Sequence, residues 1–109
     1  MPKASVKRLR KEDIGFVFQK GKRLKTAFFL LWDVKKKDSP FRLSVVCSRK
    51  VEKRATKRNT IKRRIREVFR KDIAEKISSH DVIVQVLPAG KAISSKIIKE
   101  TLYNVFHIS

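Results

Sequence analysis

The sequence has little cysteine and no long apolar run, and each absence excludes a class of protein. The single cysteine, Cys47, cannot form an internal disulfide or, within one chain, a thiolate metal cluster. We interpret it as a small buried hydrophobe in a strand. The longest apolar run, residues 27–32, is far shorter than the roughly 20 residues of a membrane-spanning helix. The polar, basic residues 1–13 lack the apolar core of a secretory signal, so we expect a cytoplasmic protein without a membrane partner.

Acidic residues are also scarce relative to basic ones. The chain holds 29 Lys and Arg against 10 Asp and Glu, which gives a formal net charge of +19. Such a charge repels itself in the compact state unless a polyanion neutralises it, so the composition predicts nucleic acid as the partner. A hydrophobic fraction of 41% is enough for a folded core, which excludes a purely basic tail. We predict one folded domain over residues 1–109, with a flexible basic arm over residues 1–8.

The hydrophobic patterning predicts an α/β fold with the element order α-β-β-α-β-α. The predicted elements are a helix over 11–20, strands over 27–34 and 42–48, a basic helix from about 56 to 74–77, a strand over 81–88 and a closing amphipathic helix over about 93–106. Charge, Asp, Ser and Pro between the first two strands predict a hairpin, so these strands should pair antiparallel. Thr56 and either Ser94 or Ser95 are the expected caps of the last two helices.

The basic helix combines a core-packing pattern with a high density of charge. At about 100° per residue, one apolar stripe is predicted to face the core. Its members are Ile61, Ile65, Val68 and Phe69. The opposite side carries a ridge, here called the outer ridge, which consists of Asn59, Arg63, Arg66 and Arg70. Lys62 and Arg64 flank this ridge, and Arg58 lies at the edge of the apolar stripe, where its guanidinium can emerge into solvent.

A solvated charged face is the ordinary interpretation of such a helix, but the signs of the charges argue against it here. Between residues 49 and 71 the only acids are Glu52 and Glu67, and bases occupy most of the remaining positions. Arginine outnumbers lysine on the outer ridge, and its planar fork binds phosphate oxygens in pairs and stacks on bases. The pattern therefore favours a structured nucleic acid over a diffuse membrane surface.

The same segment resembles a known family. Residues 58–63, RNTIKR, followed by Arg66, Glu67 and Phe69, are similar to the R-N-R-x-K-R signature of the protein subunit of bacterial ribonuclease P, the ribonucleoprotein that removes 5′ leaders from precursor tRNA. The similarity continues outside the motif over roughly residues 9–106, including EDIGFVFQKGKR, FFLLW, RLSVVCSRKVEK and DVIVQVLP. The chain departs from the family pattern at Thr60, where a base is usual, and at Ser44 and Glu52, where glycines are common.

The resemblance implies a fold and a function beyond what the residues alone predict. The implied fold is an α/β (α+β) sandwich with a small mixed sheet and a left-handed β-α-β crossover, although the general rule favours a right-handed one. The implied protein is a monomeric RNA-binding subunit, in a 1:1 complex with ribonuclease P RNA, that acts on precursor tRNA. Catalysis would come from the RNA with Mg²⁺, so the resemblance implies no catalytic residue and no metal ligand in the protein.

The resemblance also assigns roles to individual residues. The residues expected to contact the catalytic RNA are Arg49, Lys50, Arg58, Asn59, Lys62, Arg63 and Arg66, with Arg70 added from the outer ridge. Three residues match positions that line a cleft for the 5′ leader: Ile14, Phe18 and Trp32. Trp32 stands where tyrosine is frequent, which should preserve a stacking surface and lose a hydroxyl.

Two other functions stay open at this point. A protein that cuts RNA by itself would need a paired acid and base or clustered carboxylates for metal ions, and the two histidines and scattered acids predict neither. A structural RNA-binding module, such as a ribosomal protein, would be allowed by the charge and the fold, although the spacing of the motif argues against it. A core position is likewise open for Trp32 as an alternative to the cleft.

Overall fold

The computed structural model of the protein describes residues 6–77 and 79–108, which form five strands and three helices. The strands are β1 (Val6–Arg8), β2 (Lys22–Lys25), β3 (Phe29–Lys35), β4 (Phe41–Val46) and β5 (His80–Val86), and the helices are α1 (Lys11–Lys20), α2 (Ala55–Val68) and α3 (Ser95–Val105). A π-helical turn, Phe69–Ile73, extends α2, and a 3₁₀ turn, Pro88–Gly90, precedes α3. The predicted α/β class and the succession of its elements are confirmed, with β1 and β2 as additional strands.

The five strands form one mixed sheet in the order β1-β4-β5-β3-β2. β4 is parallel to β1 and β5, whereas β3 is antiparallel to β5 and β2. The predicted antiparallel pairing of β3 with β4 is therefore wrong, because β5 lies between them. β5 is apolar towards both faces, with Val82, Ile83 and Val84 fully buried, and only a central position covers both faces of such a strand.

The connection from β4 through α2 to β5 joins two parallel neighbours, as a β-α-β crossover requires. Its left-handedness, implied by the resemblance, stays a prediction. Within the predicted arm, Val6–Arg8 forms a strand that pairs with β4 from Phe41 to Leu43, and the flexibility of the arm stays a prediction. Residues 1–5 of that arm lie outside the described residues.

One face of the sheet packs against α2 and α3 and holds the main core. The strands contribute every second side chain to this core, and the others point to the opposite face. The helices contribute the predicted stripe of α2, which is buried as predicted and consists of Ile61, Ile65, Val68 and Phe69. The Phe69 ring lies with its centroid 5.7 Å from that of Phe41 and 6.4 Å from that of Phe106. α2 is thus fixed along its inner side, which determines the side that it presents outward.

The opposite face packs against α1 and the residue just before it, Leu9, and has a smaller core. Leu9, Val17 and Ile83 are its buried members, and Ile14, Trp32 and Val34 pack against them. A charged network centred on Arg42 strengthens the attachment of α1 to the sheet. The Nε and Nη2 atoms of Arg42 donate to Asp81 at 2.9 and 2.7 Å, and its Nη1 donates to Asp13 of α1 at 2.9 Å.

Asp81 is the anchor of this network and is fully buried. Burial alone would raise the pKa of Asp81, but hydrogen bonds from Arg42 and Lys36 outweigh it and leave the pKa below its ordinary value. The Lys36 Nζ atom lies 3.3 Å from Asp81 Oδ2. The carboxylate therefore holds two cations beside the sheet and, through Arg42, ties the sheet to α1.

The two predicted helix caps have different outcomes. Ser94 caps α3, because its Oγ accepts a hydrogen bond from the backbone N–H of Ile97 at 3.3 Å. Thr56 does not cap α2, which begins at Ala55 after a cap residue, Arg54, without a side-chain capping bond. Instead, the start of α2 is held by Glu52 in the preceding loop, whose carboxylate accepts the backbone N–H of Arg54 at 3.0 Å.

Candidate nucleic-acid interface

The loop that leads into α2 is built around Glu52, which is only 8% exposed. Hydrogen bonds from the side chain and the backbone of Arg54 lower the pKa of Glu52 to about 2, so it is ionised at neutral pH. Arg58 fastens the same loop, since its Nη1 donates to the carbonyl oxygens of Glu52 and Lys53 at 3.0 and 2.8 Å. Its guanidinium was expected to emerge into solvent but is engaged by backbone. Arg58 therefore positions the loop, and any contact with RNA would come from the remainder of the guanidinium.

Three cations of this loop, Arg49, Lys50 and Lys53, are exposed and line an open pocket of about 380 Å³. Two of them, Arg49 and Lys50, were predicted from the resemblance. Because Arg58 and Glu52 hold the loop against the start of α2, these side chains lie at one end of the helix whose outward side carries the ridge. The loop and the helix thus form one continuous basic surface.

The outer ridge divides into two exposed and two partly buried members. Asn59 and Arg63 are exposed, and Arg63 makes no ion pair within the described ranges. Arg70 is engaged by Glu67, to which its Nε and Nη2 donate at 2.9 Å. Lys62, which flanks the ridge, is half-buried. The free cationic charge of α2 is therefore concentrated in its first three turns.

Arg66 is the unusual member of the ridge. Its Nε atom is buried and has no hydrogen-bond partner among the described residues. Burial, with a smaller contribution from the charge of Arg8, lowers the pKa of Arg66. Arg8 belongs to β1 and pairs with Leu43, which places it on the α2 side of the sheet. Arg8 was not predicted as a neighbour of Arg66, because the three residues of β1 are too few to show a strand pattern.

The predicted cleft residues come together on the other side of the sheet. The rings of Phe18 and Trp32 meet edge to face, with centroids 4.7 Å apart, and Ile14 packs in the same small cluster as Trp32. Phe18 is 45% exposed and Trp32 is half-buried, so the pair is accessible to a ligand. An accessible pair of aromatic rings is the usual platform for stacking unpaired bases. The predicted cleft and the predicted basic surface therefore lie on opposite sides of the sheet.

A second exposed ring on α1 was not among the predicted site residues. Phe16 is 47% exposed, and the Nζ atom of Lys36 lies 5.4 Å from the centre of its ring. Phe16 lies off the apolar stripe of α1, which consists of Ile14, Val17 and Phe18, and that departure from the helical pattern was the only signal in the sequence. Its contact with Lys36 extends the partly aromatic surface of α1 towards the β3–β4 connection.

The acids and histidines of the described residues form no group of three or more that could hold a metal ion. The closest approach to an acid–base pair is His80, whose Nδ1 lies 2.6 Å from Asp33 Oδ1. This pair bridges the neighbouring strands β5 and β3, and the His80 ring packs edge-on to Phe106 at 6.5 Å. Such surroundings are those of a structural link between strands. In the same residues no helix combines the length and the apolar character that crossing a membrane requires.

The fold and the site define a class of small mixed α/β protein in which the helix of a β-α-β unit is fixed by a dry core and presents cations outward. A sequence profile of the Ribonuclease P family matches residues 3–108. The chain belongs to the ribonuclease P protein family, and the resemblance on which the sequence analysis rests is confirmed.

Individual relatives agree with this assignment. The Ribonuclease P protein component of Xylella fastidiosa is 38% identical over 78 residues, which cover 72% of this chain and 56% of that protein. The chain thus matches little more than half the length of that relative. The corresponding protein of Aromatoleum aromaticum is 33% identical over 99 residues, or 90% and 82% of the two chains. The RNase P protein from Thermotoga maritima has the same fold, with a TM-score of 0.80, 28% identity and coverage of 94% and 98%.

Proposed function

We propose that this protein is the protein subunit of a ribonuclease P, acting as one RNA-binding domain in the cytoplasm. It binds the catalytic RNA through the loop and first turns of α2, and it binds the 5′ leader of precursor tRNA beside α1. The observation that carries the proposal is the division of the two surfaces. Cations of α2 that form no ion pair within the described residues lie on one side of the sheet, and accessible aromatic rings lie on the other.

The basic surface suits a folded RNA because its helix is held rigidly. Ile61, Ile65 and Val68 are buried, so Asn59 and Arg63 are presented at a fixed spacing without help from a ligand. Arginine contributes paired donors to phosphate oxygens, and asparagine adds a neutral donor and acceptor. Such contacts release counterions from RNA, so binding is expected to weaken as salt increases.

The aromatic surface suits a single strand. Trp32 and Phe18 offer one ring edge and one ring face side by side, and Ile14 provides an apolar wall. Bases of an unpaired leader can stack on such rings with little sequence preference, which is useful for an enzyme that processes different precursors.

The Mg²⁺ required for cleavage belongs in this proposal to the RNA. When bound by RNA phosphates, Mg²⁺ supplies the activation of water and the stabilisation of the leaving oxygen. The acidic residues of the described chain do not form a ligand set that fits the ion. The protein contributes positive charge, which offsets the repulsion between two RNA molecules and lowers the concentration of Mg²⁺ needed for productive binding.

Reconstitution at low Mg²⁺ tests this function. The protein is mixed with ribonuclease P RNA and a precursor tRNA, and 5′ cleavage is measured with and without protein. We expect a large gain in cleavage from wild type, a smaller gain from Arg63→Ala and an unchanged gain from Lys37→Ala, which removes one charge from an exposed loop position. No gain from wild type would favour a structural RNA-binding module, and cleavage without the RNA would favour a protein nuclease.

A further inference from the structure

A second cationic surface lies on α2, away from the outer ridge. The flank of α2 that faces the start of α3 encloses, with the turn after β5, a cavity of about 280 Å³. Lys57, Thr60 and Arg64 line it from α2, and Lys91 lines it from the turn. At about 100° per residue, Lys57 and Arg64 share one line along the helix, and they lie about 120° and about 100° around the axis from Arg63. A phosphate bound to the outer ridge could not fill this cavity.

The one acid in the cavity wall is already neutralised. Glu52 accepts hydrogen bonds from Arg54 through both oxygens, since Oε2 accepts Nε at 3.1 Å and Oε1 accepts Nη2 at 3.2 Å. Lys57, Arg64 and Lys91 form no ion pair within the described residues. The wall therefore combines one internal ion pair with three further cations, and it carries a net positive charge.

The cavity is preformed by the packing around it. Arg64 is fixed at the rim because its Nη1 donates to the carbonyl oxygen of Ile93 at 3.3 Å. The turn that carries Lys91 closely approaches the residue before β3 at Gly90, where a Cβ atom would clash with the carbonyl oxygen of Phe28. Only glycine permits this approach. The guanidinium of Arg64 and the backbone that carries Lys91 are therefore held in place by the fold itself.

We propose that this cavity binds a phosphate oxyanion, with Lys57, Arg64 and Lys91 as its cations. Resting on the proposed function, the inference assigns the phosphate to the RNA backbone. The cavity has the volume of about nine liquid water molecules, which accommodates a phosphodiester group with part of its hydration shell. The Thr60 hydroxyl donates to the Thr56 carbonyl at 3.0 Å, so binding relies on the cations. α2 would then contact RNA through two sides.

Charge removal at the cavity, compared with the same charge removal elsewhere, tests this site. The variant Lys57→Gln/Lys91→Gln is compared with Lys20→Gln/Lys37→Gln, which removes two exposed charges distant in sequence from the cavity lining. Lys91→Gln alone serves if the double variant is poorly folded by circular dichroism. Each protein is titrated with ribonuclease P RNA at several salt concentrations and, separately, with inorganic phosphate while backbone amide shifts are followed by NMR.

We expect the cavity variant to make the salt dependence of log affinity shallower than that of the control by about 0.7 to 0.9 for each phosphate group that the variant no longer binds. Phosphate-induced shifts at Thr60 and Lys91 should disappear in the same variant. The site is overturned if the cavity variant matches its control in both titrations. If the cavity variant differs from its control only in the titration with inorganic phosphate, the cavity is an anion site but the RNA backbone is not its ligand.

Failure of the proposed function is a separate result. If wild type does not bind ribonuclease P RNA, the proposed function is wrong, and the titration with inorganic phosphate alone then tests whether the cavity binds an oxyanion.

Discussion

The two faces of the sheet differ in how completely they are covered. The face beneath α2 and α3 holds a large dry core, including Phe29, Leu31 and Phe69, and every one of these side chains is fully buried. In the part of the chain that the structure describes, the face beneath α1 has three buried hydrophobic residues and leaves Phe18 and Val46 more than two-fifths exposed. The first face is built for stability. The second uses a charged network where apolar burial is insufficient, and it leaves an accessible surface for a ligand.

This division also explains the placement of charge. α2 can carry many cations because its inner side is fastened by apolar burial, which compensates for the repulsion among them. α1 has less apolar contact, and its attachment relies partly on the ion pair of Asp13 with Arg42.

Phe69→Ala should have the largest effect on stability. The ring is fully buried between Phe41 and Phe106, so its removal leaves a cavity in the main core. We expect the free energy of unfolding to fall by about 4 kcal/mol. Phe18→Ala, on the other face, should cost less than about 1 kcal/mol because that ring is half exposed. Urea denaturation of both variants measures the difference, and equal decreases would contradict the division of the two faces.

Asp81→Asn should have the second largest effect on stability, because it leaves Arg42 and Lys36 without their shared carboxylate. We expect the free energy of unfolding to fall by about 3 kcal/mol at pH 7, the size typical of breaking a buried ion pair. The pKa of Asp81 is lowered in the folded state. The ionised carboxylate therefore contributes fully to the stability of the fold above the ordinary pKa of about 3.9, and this stabilisation is lost as the pH falls below that value. Denaturation at pH 7 and pH 3 should show a smaller gap between wild type and variant at pH 3. A gap independent of pH would mean that the charge of Asp81 is not what stabilises the fold.

Trp32→Ala should affect leader binding more than folding. In the assembled enzyme we expect precursor tRNA to bind about tenfold more weakly, the equivalent of ~1.4 kcal/mol for one base that no longer stacks on the ring, with mature tRNA unchanged. Fluorescence titration of both RNAs measures the ratio. Equal weakening of both would place the ring in the core alone, without contact to the leader.

Arg66→Met should have a small effect on stability, opposite in sign to the others. The buried Nε of Arg66 has no partner in the described chain, and the side chain lies near the charge of Arg8. Methionine fills a similar volume without that cost, so the free energy of unfolding should rise by roughly 0.5 to 1 kcal/mol. Binding to ribonuclease P RNA should weaken at the same time. A variant that is both less stable and unchanged in RNA binding would show that Arg66 has a structural role.

Local pattern predicted most elements of the fold but not how the strands pair. The helical spacing of Ile61, Ile65 and Val68 was enough to fix the inner side of α2, because burial follows periodicity directly. The pairing of β3 with β5 is a long-range choice, and the turn-like sequence after Val34 pointed to the wrong neighbour. β1 and β2 were missed because they are short and basic, and their strand conformation depends on the partners β4 and β3.

Residue type and helical spacing predicted which side of α2 each residue occupies, but they did not predict which side chains are free to contact a ligand. Asn59 and Arg63 are presented outward as the helical wheel predicted. Arg58, by contrast, bonds to backbone carbonyls, which depends on the path of the loop at Glu52 and cannot be inferred from spacing. The cavity beside Lys57 was not predicted either, because Lys91 reaches it only through the folded turn after β5.

In the proposed function α2, and not the α1 cleft, binds the catalytic RNA. The most direct test is the affinity of Arg63→Ala and Trp32→Ala for ribonuclease P RNA, measured in one salt series. We predict that Arg63→Ala binds about tenfold more weakly, equivalent to ~1.4 kcal/mol, with a salt slope shallower by about 0.7 to 0.9, while Trp32→Ala binds as wild type does. An equal decrease in affinity in both variants, or a decrease in Trp32→Ala alone, would contradict the claim.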